Sequence, residues 1–68
     1  MVDTAKLKAA WVAKGKTQDE VAKIIGVSSK TMSFRMKKGV FGSDEMERMI
    51  DALEIKNPAE IFFANRVT

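Results

Sequence analysis

Apolar side chains recur along this chain at three- and four-residue intervals, in five blocks separated by Gly, Ser, Asn or Pro. That period is the one at which side chains share a helix face. The first block is Leu7, Ala10 and Trp11, with Asp3 or Thr4 able to cap its helix and Gly15 to end it just past Lys14. In the second, Thr17 offers a capping hydroxyl and Glu20 reaches back in a capping box. Val21, Ala22 and Ile25 form its inner face, Gly26 stops it, and Val27 plugs into the core behind. Ser28 starts the third helix, whose buried edge is Met32 and Met36. Val40-Phe41-Gly42 is a short apolar linker, with Phe41 as a staple ahead of the next helix. Ser43 is the expected cap of a fourth helix carrying Asp44 and Glu45 in its first turn, where the helix dipole favours them. Its inner face is Met46, Met49, Ile50 and Leu53, with the methionines acting as gap-fillers. Asn57-Pro58-Ala59-Glu60 repeats a helix start, with Asn57 as cap and Glu60 completing a box, and a short helix through about Ala64 brings Ile61 and Phe62 inward. The pattern predicts an all-α, compact five-helix domain spanning 1–68, with 65–68 a frayed tail.

The second and third helices, joined by a tight turn at Gly26, predict a helix-turn-helix over about residues 17–37, whose second member can lie in the major groove. Ser29, Lys30, Ser33, Phe34 and Lys37 face away from Met32 and Met36 and form the expected reading surface. Lys30 can bond guanine O6 or N7, Ser29 and Ser33 can donate or accept at either kind of base pair, and Phe34 can offer apolar contact to a thymine methyl. Burial of Phe34 against the loop after the helix is an equal alternative. Lys37 and Lys38 are read as phosphate contacts, beside the carbonyl end of the helix dipole. Ile24 has two readings, packing against the first helix and contact with a partner.

The ordered set Thr17-Gln18, Glu20, Ala22, Ile25, Gly26, Val27, Ser28, Thr31 and the Met32/Met36 pair resembles the helix-turn-helix of the phage repressor and Cro family, in particular small regulators of phages of Gram-positive bacteria. The likeness extends over FGSDEMERMIDALEI and NPAEIFF, so it covers roughly Leu7 to Phe63. The resemblance implies a lambda-repressor-like fold. It implies that Ser29, Lys30 and Phe34 touch base edges and that Gln18 and Ser28 grip phosphates. It implies a transcriptional regulator that occupies operator DNA as a dimer on near-palindromic sites, a Cro-like role more than a full-length repressor. Before Gly39 the chain carries one residue more than the commonest family spacing.

Charge sharpens the picture. The net charge of +3 is unevenly distributed. Residues 1–40 hold nine Lys/Arg against three acids, whereas 41–68 hold three against six. The positive half contains the motif, so a polyanion-binding face and an opposite solubilising face are expected. Lys6, Lys8, Lys14 and Lys16 on the first helix and its end serve equally as a solvated face or as phosphate contacts. With 46% hydrophobic residues the chain reads as globular. Sixty-eight residues lie near the lower limit for a fold resting on one apolar core. Cysteine and histidine are absent, which leaves no disulfide, no soft metal ligand and no neutral-pH acid–base group. No metal or cofactor is implied. No apolar run approaches the roughly 20 residues that span a bilayer, and the first ten residues lack a signal-peptide profile, so the bacterial host cytoplasm is the expected location.

An enzyme is not expected. Gly26-Val27-Ser28-Ser29-Lys30-Thr31 resembles the end of a P-loop, but Ser29 stands where that loop has glycine and no strand precedes it. The competing reading is a protein-interaction module or antitoxin built on the same motif. For self-association, the apolar side chains left over once the core is filled lie toward the C-terminal end. Phe63 and Val67 are the leading contact candidates, with Ile24 next. Such a patch falls well below the roughly 1,200 Å² of a stable standard interface, so a weak dimer that forms on DNA is expected.

Overall fold

The computed structural model describes residues 2–63, which contain five helices and no strand: α1 (Thr4–Ala13), α2 (Gln18–Ile25), α3 (Ser29–Lys38), α4 (Ser43–Ala52) and α5 (Pro58–Phe62). A radius of gyration of 10.9 Å matches the roughly 11 Å expected of a compact chain this long. The domain is all-helical.

The helix starts explain why the elements fall where they do. Asp3 accepts from the Lys6 N–H at 3.1 Å and caps α1. At α2 the capping box is complete: the Glu20 N–H donates to Thr17 Oγ1 at 3.2 Å, and the Thr17 N–H donates to Glu20 Oε1 at 2.9 Å. Ser28 caps α3 by accepting from the Thr31 N–H at 3.1 Å. Two expected caps differ. Gly42, not Ser43, is the N-cap of α4, and Ser43 lies in the first turn. Glu45 closes this end by accepting the Gly42 N–H at 2.8 Å. The shift places Phe41 one residue before the cap and Met46 four beyond it, the register of a hydrophobic staple, and both line one concavity. At α5, Asn57 makes no side-chain capping bond and Glu60 completes no box; only the Glu60 N–H to Asn57 carbonyl bond, 3.1 Å, turns the chain. With Pro58 in the first turn, one orphan amide is already missing, so less capping is needed. The helix stops at Phe62, and Ala64 and the 65–68 tail lie outside the described residues.

Four helix ends use one device, an amide reaching back five residues over a left-handed turn. The bonds run from Lys16 to Trp11, Val27 to Ala22, Val40 to Arg35 and Ile55 to Ile50, at 2.9, 2.9, 3.4 and 3.0 Å. Glycine takes the left-handed position in the first three, at residues 15, 26 and 39. In the fourth that position is Glu54, with φ of 53°.

The core joins all five helices: Leu7, Trp11, Val21, Ala22, Ile25, Met32, Phe41, Met49, Leu53, Ile61 and Phe62 are buried, with Val2 beside them. Ala10, Ile24, Val27, Met36, Met46, Ile50 and Ile55 pack around this centre half-buried. Val2 is the unexpected member. Its N–H donates to the Gly39 carbonyl at 2.8 Å and the Asp3 N–H donates to the Ile61 carbonyl at 2.6 Å, so an extended segment ties the end of α3 to α5. Ile24 is half-buried and packs against the core. α2 lies most extensively against α4, where Arg48 donates to the Ile25 carbonyl at 3.1 Å and satisfies the end of α2.

Candidate nucleic-acid interface

α3 carries four basic residues, more than any of the other described helices. Met32 is fully buried, and Thr31, Arg35 and Met36 are half-buried. Ser29, Lys30, Ser33, Phe34, Lys37 and Lys38 are all exposed. Their spacing of i, i+1, i+4, i+5, i+8 and i+9 keeps all six on one half of the helix circumference. No acid occurs in α3, so this stripe is a polar and cationic surface with a single aromatic ring. Lys37 and Lys38 occupy the last turn, where the dipole favours cations.

Phe34 is 59% exposed, so the alternative of burial against the following loop is not the one adopted. Lys38 Nζ stands 5.5 Å from its ring centroid, within cation–π reach. The neighbouring Val40, placed by its sequence in a linker, is 60% exposed. Phe34, Arg35, Lys38 and Val40 line one open depression of about 320 Å³.

The structure brings Gln18 and Ser33 together. Gln18, first residue of α2, donates from Nε2 to Ser33 Oγ at 3.2 Å. Ser33 accepts in this contact and keeps its own proton to donate outward. Ser28 is differently engaged: its hydroxyl accepts the Thr31 N–H and donates to Thr31 Oγ1 at 3.0 Å. An anion beside Ser28 therefore meets the first-turn amides of Ser29 and Lys30, which lack intrahelical acceptors.

Two residues that position this surface were not singled out from the sequence. Arg35 Nη2 lies 3.1 Å from Glu45 Oε2, while Glu45 Oε1 holds the Gly42 amide. Glu45 is only 13% exposed, so one carboxylate clamps the end of α3 to the start of α4. Arg48 acts similarly on α2. For Arg35 the signal in the sequence is a charged residue placed between Met32 and Met36, beside the buried edge of α3. Lys14, offered as a phosphate contact or solvated residue, pairs with Glu54 at 3.0 Å, both groups exposed.

Of the self-contact candidates, Phe63 is 49% exposed and lines an apolar groove with Ser43, Met46, Glu47, Ile50 and Phe62. Val67 lies outside the described residues. Glu20 titrates below the ordinary carboxyl value of 4.5, chiefly because the Thr17 backbone amide and then the Thr17 hydroxyl bond its charged form, with smaller help from Lys16 and Lys23. Among the described residues no helix is long and apolar enough to cross a membrane.

Comparison with protein-family models, with curated proteins and with solved structures finds no match for this chain. The described residues form an all-helical domain with a cationic helix face.

Proposed function

We propose that this chain is a sequence-specific DNA-binding domain of helix-turn-helix type, with α2 and α3 as the motif and α3 entering the major groove. The observation that carries the reading is the acid-free, exposed stripe of α3, held on a helix whose other side is anchored by Met32. A rigid α-helix fits the B-form major groove better than the narrow major groove of A-form RNA. In this reading Ser29, Lys30, Ser33 and Phe34 read base edges. Gln18, Lys37, Lys38 and the cap at Ser28 hold phosphates. The role is that of a small phage-type transcriptional regulator, Cro-like, acting in the host cytoplasm by occupying an operator that overlaps a promoter. Two copies pair weakly and cooperatively on the site, with self-contact through the Phe63 groove.

Binding of a labelled random-sequence duplex library, followed by selection and a salt titration, tests this. Specific enrichment is expected, and Lys37→Ala with Lys38→Ala should lower the salt slope by roughly one per ionic contact at every sequence. An unchanged slope assigns both lysines to solvent. A protein-interaction module is the second reading, favoured by the exposed Val40 and Phe63. A salt-insensitive protein complex without duplex affinity would select it.

A further inference from the structure

We propose that Phe34 and Val40 form a two-walled pocket for the 5-methyl group of a thymine, with Lys38 meeting the adjoining phosphate. This rests on the DNA-binding reading and adds to it a second specificity-determining side chain, beyond the end of α3.

Three of the observations converge on that occupant. Phe34 and Val40, 59% and 60% exposed, are two apolar side chains brought together in one depression on an otherwise polar and cationic surface. Every charged group lining it is cationic, Arg35 and Lys38. Arg35 is engaged by Glu45, whereas Lys38 has no ion pair among the described residues and rests over the Phe34 ring. The occupant must then combine an apolar projection with a negative charge close by. On the major-groove edge of duplex DNA the thymine methyl is the one apolar group, and phosphates flank it. The position agrees, since Phe34 and Lys38 belong to the same half of α3 as Lys30 and Lys37. A purely apolar partner segment would instead desolvate Lys38 without compensating it. Phe34 alone offers one face to a methyl; Val40 supplies the second wall and excludes water from its other side. A depression of about 320 Å³ leaves room for the pyrimidine edge that carries the methyl.

The test begins with the half-site selected from the random library. Each thymine in turn is replaced by deoxyuridine, which removes only the methyl group. At one position the intact protein should bind about fourfold more weakly, the loss expected of one buried methyl. Phe34→Ala should bring that thymine-to-uracil ratio close to one, and Val40→Ala to an intermediate value, both without change in melting temperature because neither side chain is in the core. A selected half-site without thymine overturns the proposal. So does a ratio that both variants leave unchanged while duplex binding persists, which leaves the DNA-binding reading standing. If both variants lose self-association in sedimentation with the ratio unchanged, the pocket is a protein contact. Failure to bind any duplex overturns the DNA-binding reading and the pocket together.

Discussion

Glu45 offers the sharpest test of how α3 is held. One of its oxygens accepts the Gly42 amide at 2.8 Å and the other meets Arg35 at 3.1 Å, with the carboxylate 13% and the guanidinium 33% exposed. The two roles separate by substitution. Glu45→Gln keeps an acceptor for Gly42 and removes the charge, so it should cost about 1 kcal/mol, the value of a charge-assisted bond reduced to a neutral one in a half-buried setting. Glu45→Ala also orphans the α4 cap and should cost about 2–3 kcal/mol in total. Replacing Arg35 by methionine removes the unpartnered buried Nε but leaves the Glu45 carboxylate without its cation, while Glu45 keeps the Gly42 amide and so the α4 cap. Arg35→Met should therefore be milder than Glu45→Ala. Urea unfolding of Arg35→Met, Glu45→Gln and the double variant should give a coupling energy of about 1 kcal/mol. Duplex affinity should fall in Glu45→Ala by more than stability alone explains at temperatures where it remains folded, because the end of α3 is released. A coupling energy of zero, with Glu45→Gln neutral, would refute the clamp.

Gly26→Ala places a side chain at φ of 81° and should cost about 1–2 kcal/mol, whereas Gly26→Asn should cost less; the Cβ itself meets only Arg48 Nη1 at 3.4 Å, so equal losses in thermal melts would mean that packing, not backbone, decides. Glu54→Gly relieves a left-handed non-glycine residue at φ of 53° and gives up only an exposed pair with Lys14, so it should stabilise by about 0.5–1 kcal/mol; destabilisation in urea would show the pair to matter more than the strain. Glu20 has a lowered pKa in the folded state, so its contribution is present above the unfolded value of 4.5 and is lost as pH falls through the folded one. Melting temperatures from pH 7 down to about 3 should therefore fall more steeply for the intact protein than for Glu20→Gln, and parallel curves would dismiss the linkage. Phe63→Ala should leave melting and half-site binding unchanged while removing cooperativity on a two-half-site duplex; retained cooperativity would move the self-contact elsewhere.

Much of the helix layout could be read from the sequence, because local chemistry sets it. Thr17 with Glu20, the stripe Val21-Ala22-Ile25 and Gly26 each state their role within a few residues, and α2 begins and ends accordingly. The outward stripe of α3 was likewise legible from spacing against Met32. What escaped depends on contacts distant in sequence. Val2 is core only because the ends of α3 and α5 supply carbonyls for its segment, and nothing in its neighbours announces that. Ser43 looks the better cap than Gly42 by residue preference, but Glu45 can satisfy the helix start from within and Phe41 needs the earlier register to reach Met46. Glu54 breaks the glycine rule that correctly marked three helix ends. Val40 lies in the expected linker, but its place beside Phe34 depends on how the chain turns after α3.

These distant contacts also decide how the candidate reading helix is oriented. α3 buries Met32 fully and Met36 only in part, a thin apolar edge for a helix expected to discriminate between bases. Three polar ties make up for it. Gln18 holds Ser33 near the middle, Glu45 holds Arg35 two residues later, and the Val2 amide holds the Gly39 carbonyl just past the end. Each leads to a different element, α2, α4 and the segment before α1, so tilt and rotation of α3 are constrained from three directions. A helix fixed mainly by packing would tolerate loss of any one tie. Here the apolar edge is short, so loosening a tie should alter what α3 contacts before it unfolds the domain.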